Sequence, residues 1–178
     1  MRWVLGEEED EFERRLRRLI GFFVRARAVQ GEPLLGISQG SELLAAAAVS
    51  FPGRLQPSAG LEVFREAVWE DLGPEARARY ETCGLVWKEF EIPEPHIHLN
   101  MIGVRTSAQG NGFAGRLLQY VHELSVNSPP SEGVTLTTED PTVVPFYLKA
   151  GYEVIGRARI APSLETWGFF RKNEPGKI

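Results

Sequence analysis

A chain of 178 residues that is 43% hydrophobic and 25% charged has the length and composition of one globular domain with its own core. Its formal net charge of −4 gives no electrostatic reason to bind nucleic acid, and no apolar run approaches the ~20 residues that a membrane helix needs. The single cysteine, Cys83, excludes an internal disulfide and suits a reducing cytoplasm, and the acidic start MRWVLGEEEDEF lacks the basic region of a signal peptide.

Residues 7 to about 28 read as an amphipathic helix whose apolar stripe is Phe12, Leu16, Leu19, Ile20, Phe23 and Val24. The acids from Glu7 to Asp10 precede the arginines from Arg14 to Arg27, an order that complements the helix dipole. Asp10–Arg14, Glu11–Arg15 and Glu13–Arg17 add i,i+4 support. After a turn at Gly31 to Pro33, PLLGISQ and ELLAAAAVSF read as two strands around Gly40-Ser41. The small side chains of the second strand suit a face closely covered by helices. Two helices follow, from Leu61 and from Pro74, the proline being a helix-entry signal. Their Trp69, Tyr80 and Trp87 are candidates for a pocket wall as well as for core.

IPEPHIHLNMIGV reads as a strand ending at Val104. Regular alternation puts His96, His98, Asn100, Ile102 and Val104 on one face, and Ile97, Leu99 and Met101 on the other. A His-x-His pair can ligate a metal, but the sequence places no third ligand, so no metal site is expected. A neutral imidazole accepts a proton near physiological pH, which makes His98 a candidate catalytic group.

Next comes VRTSAQGNGFAGRLL, in which Gly110 and Gly112 introduce a helix carrying Leu117, Leu118, Val121 and Leu124. Glycines at a helix entrance let an anion approach the unpaired N–H groups and the positive end of the dipole. This is the chemistry of a phosphate or pyrophosphate site. GNGFAG matches the dinucleotide fingerprint G-x-G-x-x-G, and Glu132 lies at a suitable distance downstream. That reading is set aside because RTSAQ separates the glycines from the strand and Glu132 falls in the loop SPPSEG. Beyond that loop VTLTTE reads as a strand from Val134, followed by PTVVPFYLKAGYEVIG.

QGNGFA, from Gln109 to Ala114, resembles the Q-x-x-G-x-A acyl-CoA-binding motif of the GNAT N-acetyltransferase superfamily. Phe146, Tyr147, Gly151 and Tyr152 resemble that superfamily's F-Y-x-x-x-G-F/Y ending. Within it, the chain is most similar to the puromycin N-acetyltransferase-like branch, through His96, Pro145-Phe146-Tyr147 and Trp167. The resemblance covers residues 96–172 and continues, more loosely, back to about residue 7.

The resemblance implies an α/β (α+β) GNAT fold: a mixed, mostly antiparallel sheet flanked by helices and splayed between the family's fourth and fifth strands. It implies a single domain over 1–178, with a helical insertion at 57–92 and an acetyl-CoA-binding and catalytic core at 96–172. The activity implied is transfer of an acetyl group from acetyl-CoA to a primary amine of a small molecule, by direct attack in a ternary complex. No protein nucleophile is required for that reaction. Backbone groups of Ile102, Gly103 and Val104 would hold the pantetheine arm and polarise the thioester. The loop Gln109, Gly110, Asn111, Gly112, Phe113 and Ala114 would hold the pyrophosphate. Tyr147 would contact the cosubstrate and protonate the departing thiolate.

The chain departs from that pattern in three places. It is expected to lack the strand and helix that usually precede the long first helix. Thr137 stands where the branch carries Glu, and Val143 where it carries Asn. Asn111 replaces a frequent Lys or Arg, leaving Arg105 and Arg116 as candidates to compensate. These departures keep two alternatives open: a degenerate acyl-CoA-binding protein with a regulatory or assembly role, and an acetyltransferase acting on protein N-termini or lysines. The short start also predicts a homodimer, because the PLLGISQ edge would be unpaired and the Phe12–Val24 stripe partly uncovered.

Overall fold

The computed structural model describes residues 1–6, 9–53 and 59–174. The side chains of the acidic run Glu7–Asp10, and with them the Asp10–Arg14 pair, lie outside the described residues. A short helix α1 (Arg2–Leu5) precedes the long α2 (Glu9–Gln30). A hairpin of β1 (Leu34–Gln39) and β2 (Glu42–Ser50) leads to α3 (Ala59–Leu72) and α4 (Pro74–Trp87). A 3-10 turn at Lys88–Phe90 then carries the chain to β3 (Ile97–Val104). The second half comprises α5 (Phe113–Val126), β4 (Gly133–Thr138), α6 (Val144–Lys149), β5 (Glu153–Ala161) and β6 (Leu164–Lys172).

The six strands form one sheet in the order β1-β2-β3-β4-β6-β5. Every neighbouring pair is antiparallel except β3–β4, which run parallel. That parallel contact consists of two rungs, Ile97 with Val134 and His98 with Thr135. Beyond them the strands part, so the expected splay lies between His96–Val104 and Val134–Thr138, here the third and fourth strands. Among the described residues no strand precedes Leu34, and β1 forms one edge of the sheet.

Helices cover both faces. On one, Leu117, Leu118 and Val121 of α5 pack on Ala45, Ala47 and Val49 of β2, on Ile97 and Leu99 of β3, and on Leu136 of β4. Burying each such Leu or Val contributes about 1.5–3 kcal/mol. The alanine run of β2, a helix former in isolation, becomes a strand because small side chains let the covering helices approach. On the other face Leu19, Phe22 and Ala26 of α2 form a second core with Val4 and Leu5 of α1, Val68 and Leu72 of α3, and Ala76 and Cys83 of α4. Cys83 is buried there, and burial pushes its thiol up to about 11, an inert structural position.

Two expectations are refined. The α2 stripe is covered along most of its length, since Leu19 is fully buried and Phe12, Leu16 and Phe23 pack into the second core, while Val24 stays exposed and Ile20 borders a cavity. The first turn α1 supplies part of that cover, which hydrophobic periodicity cannot reveal. The regular alternation of β3 is also broken. Ala48 pairs with Met101 and Val49 with Leu99, so Asn100 is an extra, bulged residue. Past the bulge the faces exchange: Ile97 and Leu99 are joined on the core side by Ile102 and Val104.

The turn after α4 is pinned by a ring in a notch. Phe90 lies against Gly156 and Gly168, a cross-strand pair of β5 and β6. A Cβ at Gly156 would meet the ring at 2.3 Å, and one at Gly168 at 2.6 Å. Two side-chain-free positions therefore let the turn after α4 rest directly on the sheet.

Candidate active site

The gap between β3 and β4 opens from its closed end at His98 and Thr135. Nδ1 of His98 lies 2.9 Å from Oγ1 of Thr135, joining the last rung through side chains as well as backbone. Past this rung the β4-facing N–H and C=O groups of β3 have no strand partner. An extended chain carrying amides can take that place, which is the fit required of a pantetheine arm. Gly103 and Ile102 line the gap, and Ile102, like Val104, also packs towards the α5 core.

The loop after β3 delivers the helix entrance that the glycines imply. A 3-10 turn at Thr106–Ala108 is followed by Gly110 at φ 80° and Gly112 at φ 75°, left-handed conformations natural to glycine. Gly112 is the N-cap of α5, makes no side-chain cap, and is followed by no acid in the first turn. The free N–H groups there suit an anion. Gln109 and Asn111 brace the loop instead of reaching outward: Gln109 Nε2 donates to Val104 O at 3.4 Å, and Asn111 Nδ2 to Ala108 O at 3.1 Å. Phe113 packs against the α5 core, with Ala114 half-buried beside it. Of the two compensating arginines, Arg105 is held by Glu42 at 2.9 Å, while Arg116 is exposed near the Phe113 ring.

The gap continues into a cavity of about 1110 Å³ on the face opposite α5. Tyr147 of α6 borders it, together with Tyr80 and Trp87 of α4 and Phe90 of the following turn. Trp69 does not; it lies in the helical core beside a smaller hollow of about 270 Å³. Burial, and next to it the charge of Asp140, raise the Tyr147 phenol above its ordinary value, so it carries its proton at neutral pH. Its ring is packed between Tyr152 and Phe169.

His98 is also at the cavity wall, where it is half-buried. Burial first, and then the nearby His96 and Arg27, push it down to about 4. It is therefore neutral and weakly basic. His96 lines the same cavity and places its Nδ1 2.7 Å from Glu94 O.

Sequence reasoning missed a polar cluster beneath the bulge. Glu32 is buried and accepts from Ser50 Oγ at 3.2 Å and from Phe51 N at 3.2 Å. Asn100 Nδ2 donates to Ser50 Oγ at 2.8 Å, and Arg27 donates to the Asn100 carbonyl oxygen and to Ser50 Oγ. The cluster ties α2, β2 and β3 together behind the cavity. Four residues scattered over positions 27 to 100 carry no local spacing that could have found them. Also missed was Glu139, whose Oε1 accepts from Trp87 Nε1 and Thr166 Oγ1, each at 3.0 Å. Its signal was present: it follows Thr137 at the two-residue period that keeps a side chain on one strand face.

The profile of the acetyltransferase (GNAT) domain matches residues 74–164, over half of the chain. No curated protein sequence matches. Among solved structures, the histone acetyltransferase HPA2 and related acetyltransferase from Corynebacterium glutamicum is similar at a TM-score of 0.65 and 13% identity, over 99% of this chain and 83% of that one. Ribosomal-protein-alanine N-acetyltransferase from Brucella melitensis is similar at 0.52 and 14%, over 86% and 76%. Naa20 from Chaetomium thermophilum, solved with a bisubstrate analogue, is similar at 0.52 and 13%, over 86% and 72%. At these identities the likeness shows the fold alone, and the domain match supplies the family: the chain belongs to the GNAT acetyltransferases, enzymes that transfer an acetyl group from acetyl-CoA to an amine.

Proposed function

We propose that this chain acetylates a primary amine of a small molecule with acetyl-CoA as cosubstrate. The observation that carries the reading is one cavity of about 1110 Å³ running from the β3–β4 gap to a wall built by α4. Tyr147, Ile102 and Gly103 stand at the gap end, and Tyr80, Trp87 and Phe90 at the other. An acceptor enclosed by an inserted helix suits a small molecule better than an open peptide groove does, and the resemblance to the puromycin-type branch agrees. Protein acceptors, as the Brucella protein's name gives for that enzyme, are the second reading.

In this reading the backbone of Ile102, Gly103 and Val104 holds the pantetheine amides and polarises the thioester carbonyl. The loop from Gln109 through Gly110, Asn111, Gly112 and Phe113 to Ala114 presents its amides to the pyrophosphate. The neutral amine attacks the thioester carbon, so that a C–N bond forms as the C–S bond breaks. Tyr147 donates its proton to the leaving thiolate and regains one from the amide nitrogen, releasing one proton overall for each ammonium consumed. With a pKa near 4, His98 is a weak base, so its part is to fix the junction through Thr135 while another group takes the amine's proton.

The unpaired edge of β1, with Leu34 exposed, supports self-association as a homodimer. Thiol release from acetyl-CoA over a panel of amines and N-terminal peptides tests the main reading. Turnover with small amines and none with peptides supports it. Peptide turnover alone selects the second reading. Acetyl-CoA binding without any turnover assigns a regulatory or assembly role.

A further inference from the structure

We infer that Glu139 is the anchor for the acceptor's ammonium group, and that the acceptor is a cationic amine with an apolar or aromatic body. This rests on the reading of the cavity as the acceptor site and specifies which chemistry it selects.

Glu139 stands just past the end of β4, half-buried, at the cavity wall. Two donors from different elements converge on one of its oxygens: Trp87 Nε1 from α4 and Thr166 Oγ1 from β6, each 3.0 Å from Oε1. Thr166 is fully buried, so this anchor is rigid. Both donors are neutral, and they hold the carboxylate in place without cancelling its charge. No ion pair to Glu139 exists among the described residues, and Oε2 has no hydrogen-bond partner among them.

A partly desolvated carboxylate without a counter-ion is costly, and a cation beside it recovers the loss. The other buried carboxylate near the cavity shows the contrast. Glu32 has Arg27 beside it at 3.9 Å and two hydrogen-bond donors. Arg27 in turn is occupied by Asn100 and Ser50. Glu32 thus has a cation of the protein itself beside it, whereas Glu139 gains one only when something positive enters. Trp87 and Tyr80 beside it present aromatic surface to the same space, which also favours an ammonium. The negative charge is felt in the cavity wall, since Glu139 contributes, after burial, to raising both Cys83 and Tyr80.

The assignment answers a question the reaction poses. An alkylamine arrives as RNH3+ and must become RNH2 before it attacks. A carboxylate that binds the ammonium can receive that proton and pass it to water at the cavity mouth, leaving the attacking lone pair free. Tyr147 then serves only the steps after attack, protonating the thiolate and regaining a proton from the amide nitrogen.

The test uses the full chain and calorimetric titration of the CoA-saturated protein with alkyl- and arylalkylamines, each paired with its alcohol isostere. The wild type should bind the amine over the alcohol, and Glu139→Gln should erase that preference. A lost charge-assisted contact corresponds to roughly 10–100-fold in affinity. Glutamine keeps an oxygen for Trp87 and Thr166, so melting temperature and CoA affinity should hold. Trp87→Phe, which removes a donor and keeps the charge, should retain the preference and so separates a structural role from anchoring. Amine selectivity lost in Glu139→Gln supports the inference even if the wild type shows no turnover, a result that would end only the catalytic reading. Equal amine selectivity in wild type and Glu139→Gln overturns it, as does a wild type that binds no amine over its alcohol.

Discussion

Nδ1 of His98 and Oγ1 of Thr135 lie 2.9 Å apart at the last rung joining β3 to β4, and from that point the two strands diverge. One side-chain pair thus sets where the sheet stops and the gap begins. The pair has a titration consequence. Half-buried, and near His96 and Arg27, His98 is held at about 4 rather than its ordinary 6.5.

The unfolded chain takes up a proton at this residue as pH falls below about 6.5, and the folded chain does so only near 4. The unfolded state therefore binds more protons in that window, and stability falls with pH across it. His122, held down to about 4 mainly by burial, adds a slope of the same sign. Denaturant unfolding from pH 7.5 to 4 should show a shallower decline in His98→Asn than in the wild type. Parallel curves would mean that His98 is not desolvated as described.

Tyr147→Phe should keep acetyl-CoA affinity and lose about 10²–10⁴-fold in kcat, the usual range for a general acid. The missing hydroxyl leaves the aromatic packing with Tyr152 and Phe169 in place. Thiol-release kinetics beside calorimetry decide this. Unchanged kcat would move the proton donor elsewhere.

Gly112→Leu should weaken acetyl-CoA binding more than it weakens the fold. An added Cβ meets nothing within 4 Å, so the protein itself opposes the change only through the positive φ of 75°. That strain costs about 1–2 kcal/mol. A folded variant with wild-type affinity for acetyl-CoA would remove this loop from the binding site.

Gly168→Ala should destabilise the chain by about 1–3 kcal/mol through overpacking. The new methyl would fall 2.6 Å from the Phe90 ring, and Gly156 closes the notch on the other side. The double variant with Phe90→Leu should recover part of the loss in thermal unfolding. An equal loss with and without Phe90 would show that the notch is not what holds the turn after α4.

Leu34→Lys places a charge on the free edge of β1, where Leu34 is exposed and paired only inward with Ala48. Light scattering at micromolar concentration should report a dimer for the wild type and a monomer for the variant, with secondary structure unchanged. A monomeric wild type would end the proposal of self-association through this edge.

The sequence by itself determined the order and kind of the principal elements and the position of the helix entrance at Gly110–Ala114. Those features are written in short-range signals: period-2 and period-3.6 apolar patterns, Pro74 at a helix start, and glycines where φ is positive. Tyr147 entered differently, through the resemblance of Phe146, Tyr147, Gly151 and Tyr152 to the superfamily's ending. Local periodicity could not foresee the bulge at Asn100, because an extra residue depends on the register that β2 imposes. Nor could it foresee the cover over α2, supplied jointly by the four-residue α1 and by α3 and α4. The Glu32–Ser50–Asn100–Arg27 cluster, the Phe90 notch and the grip of Trp87 and Thr166 on Glu139 rest on contacts between residues 18 to 78 positions apart. Such pairings are fixed by how the helices settle on the sheet, since buried polar groups find partners only where packing brings them together.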